Sequence, residues 1–222
     1  MTVELIDSMG DDHSIARAAR VSSGTTGTPE RNRGLINMLM RDRHGSPFEA
    51  VVLQLRVECP IFVAREFLRH RMASYNEVSG RYQEMQPVFY APDEHRPLRQ
   101  TGKPGAYHFE AGTPEQHSLT STAHKSAAGW SWEHYRWLLK EGVAREVARN
   151  VLPLNLYTSF YVTLNLRSLL NFLSLRWAHP DSTVPTFPLA EIEDVAMQID
   201  QFARTVAPDA MAAFDKNGRI AP

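Results

Sequence analysis

The chain has 222 residues, enough to bury a substantial core as one large domain or two small ones. It is 43% apolar and 22% charged, an ordinary balance for a soluble globular protein. A formal net charge of −1, from 24 basic and 25 acidic residues, argues against wholesale nucleic-acid coating.

No apolar run approaches the roughly eighteen residues of a membrane span, and the first residues start no signal peptide. The expectation is a cytoplasmic protein that meets neither membrane nor nucleic acid. The single cysteine, Cys59, excludes an intrachain disulfide and a cysteine-rich metal site. It reads as a small core residue, with a catalytic thiol as the minority alternative.

Val3 to Asp7 reads as a first strand, and Asp11 or Asp12 offers an N-cap for a helix through Ala19. Residues 22–29 form a Ser/Thr/Gly/Pro loop, and Glu30 to Arg43 a packed helix. Residues 50–57 alternate apolar and polar positions, the pattern of a half-buried strand. Pro60 then opens a helix through about Met72, with Ile61, Ala64, Phe67 and Leu68 as its buried stripe. Residues 82–90 read as extended and 91–108 as a loop insertion rich in Pro, Gly and His.

A long helix is expected from Pro114 to Glu141, then Gly142 and a second helix from Ala144 to Val151. Tyr157 to Leu166 is rich in β-branched and aromatic residues, hence a strand. A helix follows over 167–177, a proline-rich loop over 179–188 and an amphipathic helix from Leu189 to Val206. The tail, 215–222, is expected to fray. No repeat or linker divides the chain. The predicted fold is a single α+β domain over 1–222, with a mixed or antiparallel sheet flanked by helices.

The chemistry concentrates in residues 69–82, Arg-His-Arg-Met-Ala-Ser-Tyr-Asn-Glu-Val-Ser-Gly-Arg-Tyr. Arg69 and Arg71 are read as ending the helix, with Ser74, Asn76, Ser79 and Gly80 permitting a tight turn. Guanidinium forks suit a phosphate, and the turn's backbone donors suit an oxyanion. Glu77 can anchor an arginine or accept from a ligand. The ordinary alternative is a solvated helix end laced with salt bridges.

Two further groups stand beside it. Arg145, Glu146 and Arg149 lie within one helical turn, which also describes an exposed charged face. Asn165, Arg167, Asn171 and Arg176 occupy a strand-to-helix junction among apolar residues, where buried amides and guanidiniums need partners. His44 to Glu49 forms a turn before the strand. No histidine spacing marks a metal site, so no metal is expected. The glycine-rich nucleotide cradles and the Gly-x-Ser-x-Gly elbow are absent, so any nucleotide must be held by arginines and turns.

The run Arg69-His70-Arg71-x-x-Ser-x-Asn-Glu-x-Ser79-x-Arg81-Tyr82 resembles the signature of flavin-dependent thymidylate synthases. Residues 44–49, 60–65, 145–157 and 165–176 resemble that family's other blocks in the same order. The resemblance implies a homotetramer with FAD at subunit interfaces. It also implies conversion of dUMP and 5,10-methylenetetrahydrofolate into dTMP and tetrahydrofolate, with NADPH reducing the flavin.

By position, Ser46, Arg69, His70, Arg71, Glu77, Asn165, Arg167 and Asn171 resemble the FAD-contacting set. Glu66, Arg69, Glu77, Ser79, Gly80, Arg81, Arg149 and Arg176 resemble the dUMP set. Arg176 corresponds to the residue that promotes ionisation at pyrimidine N3. Residues 177–188 and 93–108 depart from the family pattern. Two other readings compete: an arginine-rich RNA-binding module, and a flavin oxidase without methyl transfer.

Overall fold

The first strand, β1 (Thr2–Met9), leads through Gly10 to α1 (Asp12–Arg20), whose N-cap Asp11 accepts from the Ser14 N–H. A computed structural model describes all of residues 1–222. After α1 come α2 (Pro29–Arg41), a 3-10 turn (Ser46–Ala50), β2 (Val52–Pro60), α3 (Ile61–Phe67) and β3 (Ser74–Glu77). A hairpin follows, β4 (Arg99–Lys103) and β5 (Ala106–Glu110), then α4 (Pro114–Lys140), α5 (Arg145–Ala148) and a 3-10 turn at Arg149–Val151. The chain ends with β6 (Tyr157–Asn165), α6 (Leu166–Arg176), α7 (Ala190–Val206) and α8 (Pro208–Lys216). One sheet has the order β1-β2-β6-β3 and the hairpin forms a second, so the fold is α+β as expected.

Two compact units emerge, one of residues 1–57, 66–76 and 160–222, the other of 58–65 and 77–159. The chain passes between them inside β2, α3, β3 and β6 rather than in loops. That is the physical reason no linker is visible in the sequence.

The first unit is built around alternation and aromatic packing. Leu53, Leu55 and Val57 of β2 are wholly buried, as the half-buried strand pattern requires. Phe67, at the end of α3, stacks on Phe172 of α6 at 4.4 Å and meets Phe160 of β6 edge-on at 5.4 Å. Asn165 caps α6 by accepting from the Ser168 N–H at 2.9 Å.

In the second unit, α4 starts at a capping box between Thr113 and Gln116. Its Tyr135 is buried, and the phenol oxygen accepts from the Met85 N–H at 3.0 Å. Cys59 is also buried here, and burial and the Glu77 charge push its thiol up to about 12. It is a core residue rather than a nucleophile.

Several expectations require correction. The helix opened by Pro60 stops at Phe67, not Met72, so Arg69 and Arg71 lie beyond it on irregular backbone. The Tyr75 hydroxyl donates towards the Phe67 and His70 carbonyls, at 3.3 and 2.8 Å, which serves backbone acceptors that a continuing helix would have used. Residues 74–77 form a strand, and the tight turn begins only at Ser79.

Residues 91–108 are not merely a loop, because Arg99 to Glu110 folds into an antiparallel hairpin closed by Pro104-Gly105. Residues 82–90 carry only an isolated bridge, Phe89 with Leu156.

The tail is not frayed. Residues 208–216 are helical and Arg219 is 1% exposed. Its guanidinium lies 4.6 Å from the Trp177 ring and 4.7 Å from the Phe214 ring and pairs with Asp200 and Asp215. Charge pairing and ring contacts together offset the cost of desolvating this cation.

Candidate active site

The first unit contains a cavity of about 900 Å³. Arg69, His70, Arg71, Asn165, Arg167, Asn171 and Arg176 line it, and Glu49, Ala221 and Pro222 complete part of its wall. Six of the eight residues of the expected cofactor set therefore converge. Ser46 and Glu77 do not line this cavity. Ser46 starts the 3-10 turn that carries Glu49, and Glu77 belongs to the other unit.

Arg176 is the most constrained group in the cavity. Its Nε donates to His70 Nε2 at 3.1 Å, and its Nη1 lies 2.8 Å from a Glu66 carboxylate oxygen. Because Arg176 can only donate, His70 Nε2 must be the acceptor, which places the ring proton on Nδ1. Burial and the Arg176 charge push the His70 pKa down to about 4, so the imidazole is neutral at pH 7. The ring also packs edge-on against Phe172 at 4.9 Å. Its place is fixed by packing on one side and by a guanidinium on the other.

Arg167 Nη1 donates to Glu49 at 2.8 Å and its Nε to the Pro222 main-chain oxygen at 3.1 Å. Arg69 and Arg71 are exposed, and no side-chain hydrogen bond or ion pair engages either. Two unpaired guanidiniums on the wall of one cavity are a fitting receptor for a diphosphate, while Asn165 and Asn171 supply neutral amides for a polar ring edge. The donor set and the volume thus fit a dinucleotide cofactor such as FAD.

In the second unit Glu77, Gly80 and Arg149 line a recess of about 150 Å³ together with Met85 and Thr158, among others, whereas Ser79 and Arg81 do not line it. Glu77 accepts from Thr158 Oγ1 at 2.6 Å instead of anchoring an arginine. The Ser79 carbonyl accepts from the Tyr82 and Gln83 N–H groups, so this turn is hydrogen-bonded rather than open. Gly80 is buried, and a Cβ there would come within 3.1 Å of Arg149 Cδ and 3.0 Å of Met85 Sδ. Arg149 itself is exposed with no side-chain partner, whereas Arg81 pairs with Glu146 at 2.9 Å.

Sequence reasoning missed Glu49, Thr158, Tyr75 and the Ala221–Pro222 wall. Only Tyr75 and Glu49 lay inside runs already singled out. His179, Asp181 and Asp215 could approach a common ion, but Asp215 is already paired with Arg204 and Arg219.

A cavity walled by unpaired arginines, next to a guanidinium fixed by a neutral histidine and a carboxylate, has the donor chemistry that suits a nucleotide. Known proteins narrow that class. Residues 4–209 match the Thy1 family model, thymidylate synthase complementing protein. The chain is 50% identical to the flavin-dependent thymidylate synthase of Streptomyces coelicolor, over 100% of this chain and 94% of that one. Against the enzyme of the same name from Tropheryma whipplei the identity is 49%, over 100% and 95%.

The solved structure of a UMP/dUMP methylase, PolB from Streptomyces cacaoi bound with 5-Br UMP, superposes with a TM-score of 0.94. It is 43% identical and is covered to 96%, with all of this chain matched. The chain belongs to the flavin-dependent thymidylate synthase family.

Proposed function

We propose that the protein converts dUMP to dTMP, with FAD bound and with 5,10-methylenetetrahydrofolate and NADPH as co-substrates. Family membership carries the class of reaction. The convergence of Arg69, His70, Arg71, Asn165, Arg167 and Asn171 on the 900 Å³ cavity supports FAD there. Reduced flavin, when bound, supplies a hydride for pyrimidine C6. NADPH reduces the flavin, and the folate donates the one-carbon unit.

The chain's own residues act on substrate binding and charge. Arg176 stabilises negative charge on pyrimidine N3 and the neighbouring carbonyl, which raises the nucleophilicity of C5. It cannot act as a base, because a guanidinium keeps its proton at ordinary pH. Glu66 and His70 hold its plane in one orientation.

Arg149, Arg81 and the Ser79–Gly80 turn bind the phosphate, so that remote binding energy orients the ring. Arg69 serves substrate as well as flavin, and Glu77 serves the substrate from the second unit's recess. Residues 1–222 act as one functional domain, cytoplasmic, assembled as a homotetramer with sites at subunit interfaces. The exposed stripe of Leu119, Trp130 and Trp137 along α4 supports such an assembly.

Purified protein should show bound flavin absorbance and form dTMP only when dUMP, methylenetetrahydrofolate, FAD and NADPH are all present. Flavin oxidation without dTMP would favour the oxidase reading, and no flavin binding would exclude both. UMP belongs in the same assay, because the matched PolB structure is described as a UMP/dUMP methylase.

A further inference from the structure

Part of the cavity wall belongs to neither the cofactor-contacting nor the substrate-contacting set. Ala221 and Pro222 line it, and Pro222 is buried. Three anchors hold the segment in place. Arg219 is locked between the Trp177 and Phe214 rings and ion-paired with Asp200 and Asp215. The Ile220 carbonyl accepts from Arg43 Nη1, and the Pro222 main-chain oxygen accepts from Arg167 Nε at 3.1 Å.

The last contact is tight from behind as well. A Cβ at Gly45 would stand 2.4 Å from Arg167 Nε and 2.7 Å from the Pro222 oxygen, so only glycine leaves room for both. Arg167 is therefore held by two acceptors, the Glu49 carboxylate and the Pro222 oxygen, in space that the missing side chain of Gly45 leaves open. Its remaining N–H donors are left for a ligand in the cavity.

We propose that residues 219–222 are a positioning strap for the cofactor site, fixing Arg167 through the Pro222 oxygen so that its guanidinium meets FAD without first losing rotamer freedom. The inference rests on the reading that FAD occupies this cavity. A long, rotamer-rich side chain binds more weakly when it must be ordered at the moment of binding.

Pre-ordering contributes affinity only through Arg167, and that gives the strap a signature distinct from general structural support. Arg219 and its acidic partners lie at the far end of the segment and keep it in register. Pro222 is the point of action.

Deflavinated protein lacking residues 221 and 222 is titrated with FAD by flavin fluorescence, alongside wild type, Arg167→Ala and the double variant. The expected result is a roughly tenfold rise in Kd for the truncation, the scale of one hydrogen bond to a charged group. In the Arg167→Ala background the truncation should add nothing, because both changes remove the same interaction.

If the truncated chain fails to fold, Arg43→Gly replaces it. That change releases the Ile220 carbonyl and also suits the left-handed backbone at position 43, where φ is 62°. It should raise Kd less, and again only when Arg167 is present. A Kd unchanged by the truncation, or a truncation effect that adds fully to Arg167→Ala, overturns the strap. If Arg167→Ala itself leaves FAD affinity unchanged, the assignment of the cavity to FAD is what falls.

Discussion

Arg176 and Arg149 are both proposed to act on the substrate, yet the structure holds them in opposite ways. Arg176 is half-buried and donates to a neutral histidine and a carboxylate, which fix the plane of its fork. Arg149 is exposed and unpaired, backed only by the close approach of Gly80. A group that stabilises charge developing in a ring must be aimed beforehand, since reorientation during the reaction adds to the barrier. A group that binds a phosphate gains from reach and from being unpaired until the ligand arrives. The two should therefore fail differently when altered.

The largest effect is expected at Arg176. Arg176→Ala should lower kcat about 10²–10³-fold, the scale seen when one charge-stabilising donor is removed, while the flavin spectrum of the holoenzyme persists. An active Arg176→Ala would remove the assignment. Arg149→Ala should instead raise the KM for dUMP about 10–100-fold with little change in kcat, and the effect should shrink as salt rises. A drop in kcat at constant KM would erase the contrast between the two arginines.

Gly80→Ala is milder. The added methyl must displace the Met85 thioether and the Arg149 stem, both flexible, so KM should rise only a few-fold, about 1 kcal/mol or less. The smallest effect is on stability against pH. The His70 pKa is held at about 4 when folded and returns to about 6.5 when unfolded, so the unfolded chain binds more protons between those values. Stability contributed by the neutral ring is complete above about pH 6.5 and is lost as pH falls towards 4. Melting curves at pH 7 and 5 should show this loss, and His70→Gln should reduce it.

Much of this was legible in the chain, and the exceptions have physical causes. Local pattern found β2 by alternation, β6 by its β-branched and aromatic content and α7 by its amphipathic face, and it also placed α4 and α6. It overran α3 because residues 68–72 carry no helix breaker. Beyond the helix end, the Tyr75 hydroxyl from the following strand reaches back to donate to the His70 carbonyl. No local rule contains that contact. The hairpin at Arg99–Glu110 was hidden by the prolines and glycines around it, although Pro104-Gly105 is itself a turn signal.

For the site, the motif and the strand-to-helix block singled out the arginines and asparagines that line one cavity, but not their protein partners. Glu49, Thr158 and Pro222 lie 118, 81 and 55 residues from the groups they hold. The tail was misjudged for the same reason: fraying is the default for an end, and Arg219 overrides it through contacts to Trp177, Asp200 and Phe214.

The buried thiol of Cys59 has a practical corollary. With its pKa at about 12 and no exposed surface, it offers almost no thiolate to an electrophile at neutral pH. The folded chain should be silent to maleimide reagents and indifferent to mild oxidants without its native cysteine being replaced. A cysteine introduced at an exposed position such as Lys103, at the tip of the hairpin, would then carry the sole label, giving a background-free fluorescent reporter.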